Sequence, residues 1–263
     1  MKYLKLVSRF IKASLQEETA YAMNFWINII QALINLGTGV LGIVVLFGQV
    51  ESIKGWNLER TLVLLGVYLT VSALRALFFG PSLEALAGMD GEVWTGNLDF
   101  TLLKPVNFQF LASTRKWRPF ALLDLTLALG VLVFGLIQLG PQLSFSQLAL
   151  FTFMLTVGVV VLYSILLFFA ALVFWSPGVL YTWVFDGFFQ LARYPVSIYP
   201  GWLQMLLTWV VPVGVITTIP VDALMGTLSF GTLFASIGLA VVLFWTASWF
   251  LRFALRRYSS ASS

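Results

Sequence analysis

The sequence predicts an all-α integral membrane protein that crosses the bilayer six times. Three observations predict this fold class: a very apolar composition, long uninterrupted apolar runs, and basic residues gathered on one side of those runs. Of the 263 residues, 60% are hydrophobic and 10% are charged, whereas soluble domains average about 45–50% and about 25%. Such a chain cannot cover a globular surface with polar groups, so the composition excludes a soluble enzyme.

The chain contains no cysteine and no histidine. This composition excludes disulfides, thiol or imidazole nucleophiles and the common zinc sites. We therefore expect no catalytic residue, no metal site and no cofactor held by this chain. The net charge of +4 does not indicate a nucleic-acid partner, because the charges lie at the chain ends and in the loops rather than on one face.

The first 20 residues predict an amphipathic helix at the membrane surface. Lys5, Arg9 and Lys12 share one face at helical spacing, together with Lys2, and apolar residues lie opposite. Such a helix lies in the plane of the lipid headgroups, with its basic side chains against anionic lipid. No apolar signal-peptide core follows the basic stretch.

Five runs are long and apolar enough to cross a hydrocarbon core of about 30 Å. A sixth apolar region, Gly178–Gly226, is interrupted by prolines and contains three of the sparse charges. We treat residues 1–263 as one transmembrane domain. The five runs are Ala22–Val50, Thr61–Gly80, Phe120–Leu139, Gln147–Trp175 and Gly231–Leu251.

Lys and Arg residues orient these runs, because basic residues accumulate on the cytoplasmic side. Placing both termini in the cytoplasm puts eleven of the 15 basic residues there, so the number of crossings is even and the broken region supplies the sixth. In the preferred arrangement Gly178–Tyr194 crosses and Pro195–Phe230 is partly re-entrant from the outer side. In the alternative, Gly178–Tyr194 lies along the cytoplasmic interface and Gly201–Pro220 crosses.

The loop between the second and third runs, Pro81–Arg118, has about 38 residues, whereas a simple connector needs about 2–8. Acidic residues come first in this loop and basic residues last, with apolar residues interspersed. We expect a structured element that contacts another protein; the alternative is a loop that only packs beneath its own bundle. The charged residues in question include Glu84, Asp90, Glu92, Asp99 and Lys104.

Within this loop, residues 96–105 read Gly-Asn-Leu-Asp-Phe-Thr-Leu-Leu-Lys-Pro. This run, with the later Tyr194-Pro195, Tyr199-Pro200 and Val210-Val211-Pro212 segments, resembles the permease subunits of ABC-2 type transporters. The closer resemblance is to a bacterial branch of about 260 residues that includes viologen and drug exporters, and it covers essentially the whole chain.

The resemblance implies a permease that dimerises, with an identical or a sister permease, and docks two copies of an ATP-binding cassette subunit. ATP and Mg would sit on that partner, since the chain has no phosphate-binding Gly-x-x-x-x-Gly-Lys-Ser/Thr loop of its own. It also implies a coupling helix within Pro81–Asn97, an outer re-entrant segment, and a bacterial cytoplasmic membrane with cytoplasmic termini. The residues that we assign to ATPase coupling are Glu84, Asp90, Glu92, Gly96, Asp99, Lys104 and Pro105.

For the substrate pathway we select Asp186, Arg193, Phe188 and Phe189. Asp186 and Arg193 are one heptad apart and are expected to share a helix face, and ionisable groups within a membrane usually face a partner or a cavity. Asp186 could attract a hydrophobic or amphipathic cation, and aromatic faces could hold it; alternatively, the charged groups reach the interface and the aromatics face lipid.

Two further charges have simpler interpretations. Arg75 is expected to reach lipid phosphates from the cytoplasmic end of its run, and Asp124 to pair with Arg118 or Lys116. Two other classes of function remain open from the residues alone: an ion-coupled secondary transporter and a membrane scaffold that transports nothing.

Overall fold

The computed structural model describes residues 2–20, 22–140 and 144–258. Met1, which belongs to the predicted interfacial segment, and residues 141–143 of the third loop lie outside the described residues. Regular structure in the described part is helical, apart from one isolated bridge between Ile53 and Trp56. The α-helices are α1 (Lys2–Thr19), α2 (Ala22–Phe47), α3 (Leu58–Phe78), α4 (Gly80–Glu84), α5 (Leu98–Leu102), α6 (Phe108–Thr114), α7 (Ala121–Gln138), α8 (Phe145–Leu172), α9 (Thr182–Leu191), α10 (Gly201–Met205), α11 (Val213–Ile216), α12 (Thr218–Leu224) and α13 (Phe230–Leu255).

Five of these helices, α2, α3, α7, α8 and α13, are long and apolar enough to cross a membrane. They coincide with the five predicted runs and differ from them by only a few residues at each end. Three start at polar N-caps: Asn57, Ser144 and Ser229 each accept a hydrogen bond from a backbone N–H in the first turn. These caps satisfy donors that the first turn of a helix would leave unpaired.

Helices α3 and α7 form the most extensive contact between elements. Two glycines allow the backbones to approach closely. A Cβ atom at Gly66 of α3 would lie 2.6 Å from the Cα of Leu132 on α7, and one at Gly135 of α7 would lie 3.0 Å from the backbone nitrogen of Val63 on α3. Each helix therefore presents a glycine to the other, as is common where membrane helices pack through small residues.

The first helix packs against the end of the long loop. The backbone N–H of Trp117 donates to Ser14 Oγ at 3.1 Å, and that of Phe120 donates to Glu18 Oε2 at 2.8 Å. Partial burial raises the pKa of the Glu18 carboxyl, and the hydrogen bond from Phe120 opposes the rise. These two contacts connect α1 to the start of α7.

The segment from Pro177 to Tyr199 runs antiparallel to α3 along its length. At one end, the N–H of Gly88 in the long loop donates to Pro177 O at 2.9 Å. At the other end, Lys54 Nζ in the loop before α3 donates to Ser197 O at 2.9 Å and to Tyr199 O at 3.3 Å. The segment therefore connects the two ends of the bundle, although its helix α9 has only 10 residues.

A helical hairpin follows, with α10 and a π-helical turn (Leu206–Val210) as its first limb and α11 and α12 as its second. Its tip, around Pro212, lines an apolar cavity with Ser164 in the second half of α8. After the second limb, a Cβ at Gly226 would be 3.0 Å from the amide nitrogen of Gln147, in the first turn of α8. The hairpin thus begins and ends at one end of the bundle and reaches into its interior.

Candidate functional site

A buried arginine connects three elements at the end of the bundle that carries the long loop. The Arg75 guanidinium, on α3, donates through Nη1 and Nη2 to the Asp186 carboxylate of α9. Its Nη2 also donates to Glu84 Oε1 of α4 at 2.9 Å, and the Arg75 side chain is only 14% exposed. The expectation that Arg75 reaches lipid phosphates is therefore wrong, because two carboxylates of the protein itself occupy its donors.

The long loop has a fold of its own. Arg115 forms an ion pair with Glu92 and also bonds Thr101. Ser82 Oγ donates to Lys116 O at 2.8 Å and accepts from Lys116 N at 2.7 Å. These contacts join the start of the loop to its end, so the loop is a compact element rather than a flexible connector.

The residues assigned to ATPase coupling fall into three sets in this loop. Glu84 and Glu92 are each paired with an arginine of the same chain, and the Glu92 side chain is only 13% exposed. Asp90, Lys104 and Pro105 are exposed. The last two residues are Gly96 and Asp99: Gly96 has a φ of +76°, a conformation that favours glycine, and Asp99 lies in the first turn of α5.

The same loop exposes large apolar side chains, which charge-based reasoning did not select. They form no continuous periodic pattern in the sequence. Only the folded loop shows that they are exposed while neighbours such as Leu98 are buried. A group of exposed apolar side chains indicates a surface that contacts another protein or lipid. These residues, here called the loop apolar group, are Met89, Trp94, Phe100 and Leu103, with exposed fractions of 73%, 56%, 70% and 81%.

A polar cavity of about 280 Å³ lies between α2, α3 and α7, and a second of about 360 Å³ adjoins it near α4 and α9. The two share Tyr68, Ser72, Ala76, Arg118 and Arg193, and we call them together the polar cleft. The further polar residues of the cleft are Asn28, Gln31, Asn35 and Asp124 in the first cavity and Arg75, Glu84, Asp186 and Gln190 in the second.

Three of the cleft amides belong to a polar stripe along α2. With a spacing of four, three, four and three residues, the stripe side chains fall within about 80° of one another at 100° per residue. This heptad-like spacing is visible in the sequence, although none of its residues is charged. The stripe consists of Asn24, Asn28, Gln31, Asn35 and Thr38.

The structure brings together three of the four residues selected for the substrate pathway. Asp186, Arg193 and Phe189 line the polar cleft, whereas Phe188 lines a separate apolar cavity of about 300 Å³ that also contains Phe168. The expected shared helix face of Asp186 and Arg193 is wrong, because α9 ends at Leu191. The two meet in the cleft through the bend that follows the helix.

Asp124 also lines the cleft, together with Arg118. The charge of Arg118 acts on the Asp124 carboxylate, so the expected interaction with Arg118 is present in the cleft. It is not a direct ion pair, because neither Arg118 nor Lys116 is among the partners that form an ion pair with Asp124 within 4.0 Å in the described residues.

A different carboxylate, Asp222 on α12, lies near the opposite end of the bundle. Burial raises its pKa to about 6, well above the ordinary value of an aspartate, and the charge of Arg60 opposes the rise. The folded protein therefore holds this proton more tightly than the unfolded chain. The resulting contribution to stability is fully present below the unfolded pKa and is lost as the pH rises through about 6.

We expect the thermal stability of the detergent-solubilised chain to increase as the pH is lowered from 7.5 to 5, by on the order of 2 kcal/mol. Asp222→Asn should remove most of this dependence and stabilise the protein at pH 7.5, because no buried charge then remains at position 222. Melting temperatures across this pH range test the expectation, with Asp90→Asn in the exposed loop as the control. An equal pH dependence in the Asp222→Asn protein would contradict it.

These features define a multi-pass membrane protein with a folded polar loop at one end and a charged cleft between its helices. A family model described as ABC-2 family transporter protein matches residues 33–262. The chain therefore belongs to the ABC-2 family of transporters, as the resemblance of residues 96–105 predicted. Neither the curated proteins nor the solved structures compared with the chain contain a match.

Proposed function

We propose that the chain is the permease subunit of an ATP-binding cassette exporter in a bacterial cytoplasmic membrane. It dimerises with an identical or a sister permease and is driven by two copies of a separate ATPase, which bind ATP and Mg. The proposal rests on the family of the chain and on one structural observation: a compact polar loop whose Glu84 pairs with Arg75 of α3, which in turn pairs with Asp186 of α9.

In this proposal the chain crosses the membrane six times, with both termini in the cytoplasm. The segment 177–199 is the fifth crossing. Its contacts with Gly88 in the long loop and with Lys54 in the first loop, at opposite ends of α3, support this arrangement over one in which Gly201–Pro220 crosses. The hairpin of α10 to α12 is then re-entrant from the outer side, since it begins and ends near that surface.

The long loop is the docking site for the ATPase. Its exposed loop apolar group supplies the contact area, and its fold supplies rigidity. Arg75 then transmits a displacement of the loop, because Glu84 moves with the loop while Asp186 belongs to the fifth crossing. Rigid-body movement of this kind transmits work without any chemistry in the permease.

The polar cleft is the substrate pathway of this proposal. It adjoins the arginine that connects the loop to the fifth crossing, so a movement of the loop alters its shape. The substrate is a hydrophobic or amphipathic molecule whose polar part enters the cleft. Lipid contacts along α1 and the exposed faces of α2 hold the permease in the surrounding bilayer.

The first test is affinity purification of the tagged chain from its native membrane in mild detergent, followed by mass spectrometry. Recovery of a soluble ATP-binding cassette subunit supports the proposal, and the same experiment identifies a sister permease if there is one. Purification of the folded chain alone, with transport retained after reconstitution, would favour an ion-coupled transporter. Membrane partners without an ATPase would favour a scaffold.

We expect Leu103→Glu to abolish most of the ATPase recovery, because a charge replaces the most exposed apolar side chain of the loop apolar group. Loss of one such contact at an interface costs about 2 kcal/mol or more, which lowers affinity roughly 30-fold. Val50→Glu, the same type of change in the loop before α3, is the matched control. Equal recovery with both variants would contradict this docking site.

Charge reversal at Glu84 or Glu92 is a less specific test of docking. Both carboxylates pair with arginines of the same chain, so a reversed charge would disturb the loop before any partner binds. Gly96→Trp has the same weakness, because the positive φ at Gly96 is unfavourable for other residues. Leu103 avoids this difficulty, since its side chain is 81% exposed.

A further inference from the structure

The polar cleft contains one cation that the protein itself does not neutralise. The Arg193 guanidinium lies over the Tyr68 ring, with Cζ 5.2 Å from the ring centroid. Its Nε is shielded from solvent and has no hydrogen-bond partner among the described residues. The ion pairs of the described chain do not include Arg193. A buried guanidinium donor without an acceptor is costly, so an acceptor from outside the chain would stabilise it.

The charges that line the cleft are unevenly distributed. Two of its three carboxylates, Glu84 and Asp186, share one arginine, Arg75. Arg118 interacts electrostatically with two carboxylates, Asp124 in the cleft and Glu18 on α1. Arg193 is therefore the cleft arginine that the ion pairs and charge interactions of the described residues leave uncompensated, and its positive charge in a site of low dielectric constant repels a cationic ligand.

The aromatic and amide groups of the cleft also favour an anionic ligand over a cationic one. The face of Tyr68 that could bind a cationic ligand is already covered by Arg193. The side-chain amides of Asn28, Gln31 and Asn35 line the cavity from a membrane-spanning helix, and Gln31 and Asn35 are exposed. Polar groups in that position normally meet a partner or a polar ligand, and amide N–H groups can donate to anionic oxygen atoms.

We propose that the polar cleft binds the anionic headgroup of an amphiphile, a phosphate or carboxylate, with Arg193 as its principal ligand. The amide groups of α2 donate to the same headgroup. The apolar part of the amphiphile lies along Leu36, Leu69 and Leu127, which line the same cavity. This inference specifies the substrate pathway of the proposed function, and it replaces a cationic ligand, expected at Asp186, by an anionic one at Arg193.

Binding to the purified full-length chain in a neutral maltoside detergent tests the site without any ATPase. The probes are dioleoyl phosphatidylglycerol and dodecyl phosphate as anions, and dodecyltrimethylammonium and tetraphenylphosphonium as cations. We expect the anions to bind more tightly, and Arg193→Gln to weaken them about tenfold, the effect of losing a hydrogen bond to a charged group. Arg193→Lys should retain part of the affinity, and Arg252→Gln at the exposed end of α13 is the matched control.

Tighter binding of the cations, or equal anion binding by the wild type and Arg193→Gln, would overturn the inference. The Arg193→Lys variant shows whether Arg193→Gln weakens binding by removing a ligand group or by misfolding the chain, because lysine preserves the positive charge. Stronger anion binding by Arg193→Lys than by Arg193→Gln supports the site. If the Arg193→Lys and Arg193→Gln variants lose anion binding equally and both melt at the wild-type temperature, a bidentate arginine contact is indicated and the inference stands.

A second arm distinguishes a resident membrane lipid from a transported substrate, which share this headgroup chemistry. The permease is reconstituted with its ATPase in vesicles of phosphatidylcholine that contain labelled phosphatidylglycerol or dodecyl phosphate. ATP-dependent movement of a label identifies a substrate, and binding without movement identifies a resident lipid; both support the site. Because the binding arm uses the chain alone, failure to recover an ATPase would contradict the proposed function and leave the headgroup site standing.

Discussion

Gly66→Val is expected to destabilise the chain by about 3 kcal/mol or more, which is among the largest effects available to a single substitution. The first atom of any side chain at this position would lie 2.6 Å from the Cα of Leu132 and 2.7 Å from its nitrogen. Backbone atoms cannot rotate away as a side chain can, so α3 and α7 would have to separate. That pair forms the most extensive helix contact of the bundle.

The same reasoning applies from the other helix, and it supplies a matched control. Gly135→Val on α7 should be nearly as damaging, since a Cβ there would meet the side chain and backbone nitrogen of Val63 at 2.9 and 3.0 Å. Gly130→Val changes the same helix at a position with nothing within 4 Å and should be tolerated. Melting temperatures of the three purified variants test this order, and a Gly130→Val protein as unstable as Gly66→Val would contradict it.

Arg75→Gln is expected to cost about 3 kcal/mol, because it leaves the partly buried carboxylates of Asp186 and Glu84 without their cation. The Asp186 side chain is 35% exposed and the Glu84 side chain is 44% exposed. Solvent therefore stabilises the unpaired negative charge of Glu84 more than that of Asp186. The double variant Arg75→Gln/Asp186→Asn should recover most of the loss, since no unpaired charge then remains at the contact between α3 and α9.

Thermal unfolding of the two variants and of Asp186→Asn alone completes a double-mutant cycle. A coupling energy near zero would contradict the assigned ion pair. Arg256→Gln, an exposed arginine after α13, controls for the change of residue type. In the proposed complex with an ATPase, the Arg75→Gln protein should hydrolyse ATP with little transport, because the loop and the segment 177–199 would no longer move together.

Much of the architecture was predictable because the bilayer imposes strong rules on sequence. Apolar runs of about 20 residues predict membrane helices, and all five such runs form the long helices. The residue pattern Gly96 to Pro105 predicted the family, which the match over residues 33–262 confirms. These signals are local in the chain, so they need no knowledge of tertiary contacts.

The candidate site was less predictable, because its residues come from distant parts of the chain. Arg75 and Asp186 are 111 residues apart, and no local pattern indicates that they pair. The sequence suggested an accessible Asp186 and an Arg75 at the lipid surface, whereas the fold neutralises one with the other. The amide stripe that begins at Asn24 was present as a spacing in the sequence, yet its meaning depends on the cleft that it faces.

The sequence by itself determined the membrane class, the positions of five long helices, the length of the polar loop and the family. Hydropathy and loop charge are properties of short segments, so they can be determined without knowing the fold. Only the tertiary structure decided which charges are paired, because pairing depends on distances of a few ångströms between separate helices. It therefore decided that Asp186 pairs with Arg75 and that the buried Nε of Arg193 has no hydrogen-bond partner among the described residues.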